Sequence, residues 1–283
     1  MPTITPTGQV CGAVVTDVDL SQPLDEDAAA ALRTGLDDHH VLVVPGQALS
    51  DADLERFSTC FGQLGTDPWF VPIAGSDHIA EVRRDADETT PVFADAWHSD
   101  WSFLEVPPIA TCLYGIEIPP VGGDTLFADQ HLAYQRLPDD LRERVDNLTA
   151  THSTRAIYGT GGIYDADNEK EQGRSMQIVQ SGATYDFDHP LVRRHEGNGQ
   201  KALFSTLGYI QGIVGMEPDD AFELLLELHR HQTADDVVYR HAWEPDMVVI
   251  WDNRSVLHRA TGGYEGHARR LRRTTILPPA TTP

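Results

Sequence analysis

From Thr111 onward the chain is a succession of short runs of β-forming residues cut off by proline or glycine, and this texture limits the fold more than any other feature. Thr111-Cys-Leu-Tyr-Gly-Ile-Glu-Ile118 stops at Pro119-Pro120, Gly122-Gly123-Asp124 turns the chain, and Thr125-Leu-Phe-Ala128 follows. Lys201 to Phe204, Met247 to Trp251, Ser255 to His258 and Arg269 to Leu277 repeat the pattern. Such runs between turn residues read as strands, and many of them together as a β-sandwich or barrel. Helices flank them. Asp25 to Leu36 is an Ala-rich helix, and Val41 to Val44 a buried strand stopped by Pro45-Gly46. Ser50 and Asp53 form a capping box for a helix that contains Cys60 and carries Leu54, Phe57 and Phe61 on one face. Pro218 to His231 is a helix with Ala221, Phe222, Leu225 and Leu228 as its apolar stripe. His39-His40 reads as a helix-end pair and His229-Arg230-His231 as an exposed helix tail. The expected fold is one mainly β domain over 1–283 with flanking helices. The Gly-rich and then highly charged segment 158–184 is expected to be a lid, the alternative being a disordered loop.

Charge excludes several functions. With 21 basic against 44 acidic side chains the net charge is −23, which repels nucleic acid and anionic membranes alike. Cys11, Cys60 and Cys112 are too few and too scattered for a disulfide framework or a structural zinc site. The first residues carry neither a basic patch nor an apolar run, and no apolar stretch is long enough to span a bilayer. A soluble, cytoplasmic protein is the expectation.

Metal chemistry leaves the clearest trace. His98-Ser99-Asp100 puts an imidazole and a carboxylate on one face of an extended segment, so both can reach one cation. With 13 His and 44 acids, roughly two His-x-acid pairs are expected from composition alone, and this is the one present. On its own it reads better as a surface hydrogen-bonded pair. Its flanks, Trp97, Trp101 and Phe103, surround the acid with apolar bulk, where a carboxylate needs a partner. A second His would complete the 2-His-1-carboxylate triad of non-haem iron oxygenases. His258, at the end of Trp251-Asp-Asn-Arg-Ser-Val-Leu-His258, is the candidate, although a half-buried strand histidine has the same appearance. Arg269, Arg270, Arg272 and Arg273 follow it. Alternation puts Arg269 and Arg273 on one face with Leu271, and two inward arginines offer seats for two small anions.

Together, Trp97-His-Ser-Asp100, Gly122-Gly-Asp-Thr125, Trp251-Asp-Asn-Arg254 with His258, and Arg269 through Ile276 resemble the taurine/2,4-D dioxygenase family of Fe(II)- and 2-oxoglutarate-dependent enzymes. His189 to Phe204 is similar to the family's middle region, and the likeness runs from about residue 10 to 278. It implies a double-stranded β-helix (jelly roll, cupin-like) core and a tendency to form dimers or tetramers. It also implies iron ligands at His98, Asp100 and His258, and a seat for the distal carboxylate of 2-oxoglutarate at Thr125 and Arg269. Arg273 matches the residue that grips the anionic group of the primary substrate. With O2, such enzymes oxidise a substrate C–H bond and release succinate and CO2.

The substrate pocket departs from the taurine pattern. Asp67 and Phe70 stand where taurine enzymes have a His and a Tyr, and Ala94 replaces an Asn. Ile157 and Tyr158 occupy lid positions, and Tyr209 replaces a Phe. This predicts an anionic, largely apolar organic acid anchored by Arg273 and wrapped by Phe70, Ile157, Tyr158 and Tyr209. Two alternatives stand beside it: a taurine, alkylsulfonate or alkylsulfate dioxygenase, and a zinc-dependent cupin-type hydrolase.

Overall fold

Val41–Val44 and Val248–Asp252 are buried along their whole length, and strand periodicity explains how a run with no polar face is accommodated. Leu42, Val44, Val248 and Ile250 pack with Leu32 and Leu36 of the helix Glu26–His39 and with Leu54 and Phe57 of the helix Asp51–Ser58. Val41, Val43, Val249 and Trp251 point the other way, into a cluster with Phe127, Tyr239 and Val256. The sheet is therefore covered by helices on one face and by a second sheet on the other.

The computed structural model describes residues 1–165, 173–178 and 184–279. At the middle of the large sheet, Ala110–Glu117 pairs antiparallel with Val248–Asp252 on one side, Cys112 opposite Ile250. On its other side it pairs with Arg269–Leu277, Leu113 opposite Arg273. Ile79–Arg84 adds to the far edge of that last strand, Ala80 opposite Arg273. The facing sheet has Thr125–Asp129 between Val238–His241 and Val256–Ala260. These two antiparallel sheets make the jelly-roll core. No helix of the described residues is long and apolar enough to cross a membrane.

Three local expectations need correction. The first helix is capped by Asp25, whose side chain accepts the Ala28 amide at 2.8 Å, and runs on to His39; His40 closes it in the left-handed region, φ 66°. Cys60 and Phe61 lie beyond the second helix, which ends at Ser58, although the Phe61 ring still packs on Phe57 at 5.4 Å. In the helix Pro218–Gln232, Leu224 joins Ala221, Leu225 and Leu228 in the core, whereas Phe222 is 57% exposed. One residue along a helix is a rotation of about 100°, which carries Phe222 off the face of Ala221.

Of the lid expected over 158–184, residues 166–172 and 179–183 lie outside the described residues. Its described parts are anchored. Tyr158 and Met176 are buried with Trp69, Phe70, Trp101, Phe103 and Tyr209 in an aromatic cluster beside the mouth of the sandwich. Buried Glu88 accepts the Ser175 amide at 2.9 Å and ion-pairs with Arg84 at 3.4 Å.

Candidate metal centre and active site

His98 sits on a loop and His258 on the strand Val256–Ala260, and their backbones pair reciprocally. The His98 amide donates to the His258 carbonyl at 3.0 Å and the His258 amide to the His98 carbonyl at 2.8 Å. This brings the two rings to 4.2 Å between centroids. Asp100, two residues on, points the same way: its Oδ1 lies 3.7 Å from His98 Nε2 and 3.8 Å from His258 Nε2. His98 Nδ1 donates to the Ala96 carbonyl at 2.8 Å, which leaves Nε2 with its lone pair towards the cluster. Burial disfavours the charged form of both rings, and for His258 the adjacent His98 adds to it. Burial works against the Asp100 charge as well. Arg273, His258, His98 and the Thr111 hydroxyl outweigh it and hold the carboxyl well below the usual carboxylate range. Two neutral imidazoles and one ionised carboxylate, with ligand atoms within 4.8 Å of one another, suit a divalent transition metal and leave positions open on it.

A second layer of hydrogen bonds fixes the acid. Thr111 Oγ1 donates to Asp100 Oδ2 at 2.6 Å and accepts from Asn253 Nδ2 at 3.0 Å; Asn253 Oδ1 in turn accepts from Trp251 Nε1 at 2.9 Å. Ser99 between the two ligands donates its hydroxyl to the Asn253 carbonyl at 2.9 Å, and its amide to Thr206 Oγ1 at 3.1 Å. Sequence reasoning missed Thr111, Thr206 and the work of Asn253. The Trp-Asp-Asn-Arg turn was the available signal for the last; Thr111 and Thr206 carry none.

Arg269 and Arg273 both point inward from the last strand and differ in company. Arg269 is 6% exposed, and no carboxylate of the described residues pairs with it; its Nε has no hydrogen-bond partner. Burial pulls its pKa down. Its guanidinium lies over the Trp243 ring at 5.7 Å. The Trp243 indole donates to Thr125 Oγ1 at 2.9 Å, so the Thr125 hydroxyl hydrogen is free to donate elsewhere. Gly123, at φ +69°, lets the arginine past: a Cβ there would stand 3.2 Å from Arg269 Nε. Arg273 is instead flanked by Asp67 Oδ2, 3.3 Å from Nε, and Asp100 Oδ1, 3.2 Å from Nη2. Its guanidinium lies against the rings of both Phe70 and Trp101, at 5.3 and 5.2 Å from their centroids.

Two cavities meet at His98. One, about 430 Å³, is lined by His98, Thr125, His258, Arg269 and Arg273. The other, about 500 Å³ and open to solvent, is walled by Phe93, Ala94, Trp97, Ile157, Tyr158 and Tyr209, with Tyr164 beside them. Of the residues expected to wrap a substrate, Ala94, Ile157, Tyr158 and Tyr209 line this second cavity. Asp67 and Phe70 lie behind Arg273, outside either lining. Ala94 adopts φ 60°, a region that Asn tolerates better than Ala.

The family model described as "Taurine catabolism dioxygenase TauD, TfdA family" matches residues 3–275. The chain belongs to this family. It is accordingly an α-ketoglutarate-dependent dioxygenase, an oxidoreductase that uses Fe(II), 2-oxoglutarate (α-ketoglutarate) and O2. A relative named alkylsulfatase, from Acinetobacter baylyi, is 33% identical over 98% of this chain and 84% of its own. An α-ketoglutarate-dependent 2,4-dichlorophenoxyacetate dioxygenase from Cupriavidus pinatubonensis is 34% identical over 96% of both chains. The crystal structure of a putative α-ketoglutarate-dependent taurine dioxygenase from Burkholderia xenovorans superposes with a TM-score of 0.80 at 28% identity, covering 98% of this chain and 93% of that one. Membership removes the zinc hydrolase alternative.

A second group of metal-ligating type in this dioxygenase, Asp37, His195 and Asp252, is already filled by an arginine. Arg254 donates to Asp252 through Nε at 2.9 Å and Nη2 at 2.6 Å, and through Nη2 to Asp37 at 3.2 Å. His195 Nδ1 accepts two backbone amides while Nε2 donates to Asp252 at 2.8 Å, so neither nitrogen is free for a metal.

Proposed function

We propose that this dioxygenase oxidises a C–H bond of a small, largely apolar organic acid, and that taurine is not its substrate. His98, Asp100 and His258 hold the iron, Thr125 and Arg269 hold the distal carboxylate of 2-oxoglutarate, and Arg273 anchors the acid of the primary substrate. Bound there, iron supplies the O2 and redox chemistry that no side chain can. The chain's own work is positioning and shielding. The observation that carries the reading is Arg269: a buried guanidinium that no described carboxylate pairs with, lining the same cavity as a threonine whose hydroxyl hydrogen is free, is a seat suited to an incoming acid. Thr111 fixes one carboxylate oxygen of Asp100 and leaves the other for the metal. The aromatic walls of the second cavity favour hydrocarbon by about 25 cal/mol per Å² buried.

The test is substrate-triggered succinate release with a panel of aryloxy and alkyl carboxylates, alkylsulfonates, alkyl sulfates and taurine. Bulky carboxylic acids should accelerate release and taurine should not. Arg273→Ala should lower kcat/KM for the active acid about a hundredfold, because an end group misplaced by about 1 Å mis-aims the C–H bond, while the 2-oxoglutarate KM stays nearly unchanged. Efficient turnover of taurine with the bulky acids inert would overturn the proposal. The alkylsulfatase relative supports a second reading, an alkyl sulfate or sulfonate substrate, which the same panel separates.

A further inference from the structure

Asp67 is the one carboxylate beside Arg273 that the iron site does not use. It is sealed in, with 7% of its side chain exposed; Oδ1 accepts the Trp69 amide at 3.2 Å, and Oδ2, 3.3 Å from Arg273 Nε, has no hydrogen-bond partner among the described residues. The charged and titratable groups facing it are Arg273 from the last strand, Asp100 from the ligand loop and the Tyr158 hydroxyl from the segment after Thr154. Arg273 is the single cation among them. Its guanidinium lies beside the rings of Phe70 and Trp101, which themselves pack on each other at 5.5 Å.

We propose that Asp67 and the acid end of the substrate compete for the charge of Arg273, so that an anion enters this site together with one proton, which Asp67 keeps. The inference rests on the organic-acid reading above and follows from charge balance. Asp100 also touches Arg273, at 3.2 Å, but with its charge given to the metal as proposed, Arg273 and Asp67 are left as a neutral pair. A second carboxylate on that arginine would leave one uncompensated negative charge in a buried site, which proteins avoid by neutralising a group. Asp67 is the group poised to do so: burial, against the pull of Arg273, already raises its carboxyl to about 6. No covalent bond changes; the proton comes from solvent and returns to it when the product leaves.

The experiment measures KM by succinate release from about one pH unit below the Asp67 titration to about two units above it. The probe is 2,4-dichlorophenoxyacetate or, where another carboxylate of the panel is turned over faster, that one. Its primary amide serves as the uncharged control. In the wild type the KM of the acid should rise about tenfold per pH unit on the alkaline side, while the KM of the amide and of 2-oxoglutarate stay level. Asp67→Asn should flatten the acid profile and lower its KM at least tenfold at the alkaline end. Asp67→Ser replaces it should the amide variant fold poorly, and the wild-type profile needs no variant at all. A level wild-type profile, or an Asp67→Asn profile as steep as the wild type's, overturns the proposal alone. No succinate above the substrate-free rate with any acid overturns the organic-acid reading and this proposal with it.

Discussion

Arg269 and Arg273 leave the same strand on the same face, four residues apart, yet one is buried with no counter-ion among the described residues and the other is flanked by two carboxylates. The difference separates two jobs that composition cannot. An unpaired buried cation costs stability until an anion arrives, so a fold that keeps one has a use for an anionic ligand, which under the proposed function is the co-substrate every turnover consumes. A cation already neutralised by Asp67 is adjustable: its pull on a ligand depends on the state of its neighbour. The co-substrate half of the site is built from strands held in register. The substrate half is built from loops and aromatic walls, which can be exchanged without disturbing the sheets.

The contrast can be broken at three depths. The largest effect is expected from His258→Ala, which should abolish turnover and the visible charge-transfer band of an anaerobic Fe(II)/2-oxoglutarate titration, because a facial triad has no spare protein ligand. A variant retaining both would remove the ligand set from which the two halves are defined. Next, Arg269→Ala should raise the 2-oxoglutarate KM by about a hundredfold, the order of a few kcal/mol for a buried charge-assisted contact. An unchanged KM would mean that the unpaired arginine is not the co-substrate's seat. The smallest effect belongs to Thr125→Ala, a three- to tenfold rise in the same KM, matching one hydrogen bond of about 1 kcal/mol. Equal effects of Thr125→Ala and Arg269→Ala would place the main hold on 2-oxoglutarate outside this pair.

The strand half was the more legible in sequence. Period two sorts Arg269, Leu271 and Arg273 onto one face of a nine-residue strand, and the same face is buried in the structure. His98 and Asp100 share a face for the same reason. The Ser50–Asp53 capping box is present with both of its hydrogen bonds. What escaped was long-range. Thr111 supports Asp100, and Asn253 supports Thr111 from 142 residues away, a relation with no local pattern to betray it. The pairing of Asp67 with Arg273 spans the chain similarly: the resemblance put both in the substrate pocket, but nothing around Pro68 marks an acid paired with the last strand. Phe222 escaped for the opposite reason: hydrophobicity suggested a core residue at a helical angle that faces water.

The reciprocal backbone bridge between His98 and His258 has a consequence for how such a centre lives in a cell. The loop bearing one imidazole is stitched to the strand bearing the other by main-chain bonds that involve no side chain. The donors therefore hold their spacing whether or not an ion is present. Iron held there, as proposed, would be a passenger of this scaffold and not one of its rivets: its loss to oxidation or chelation would leave the main-chain bridge between the two histidines in place.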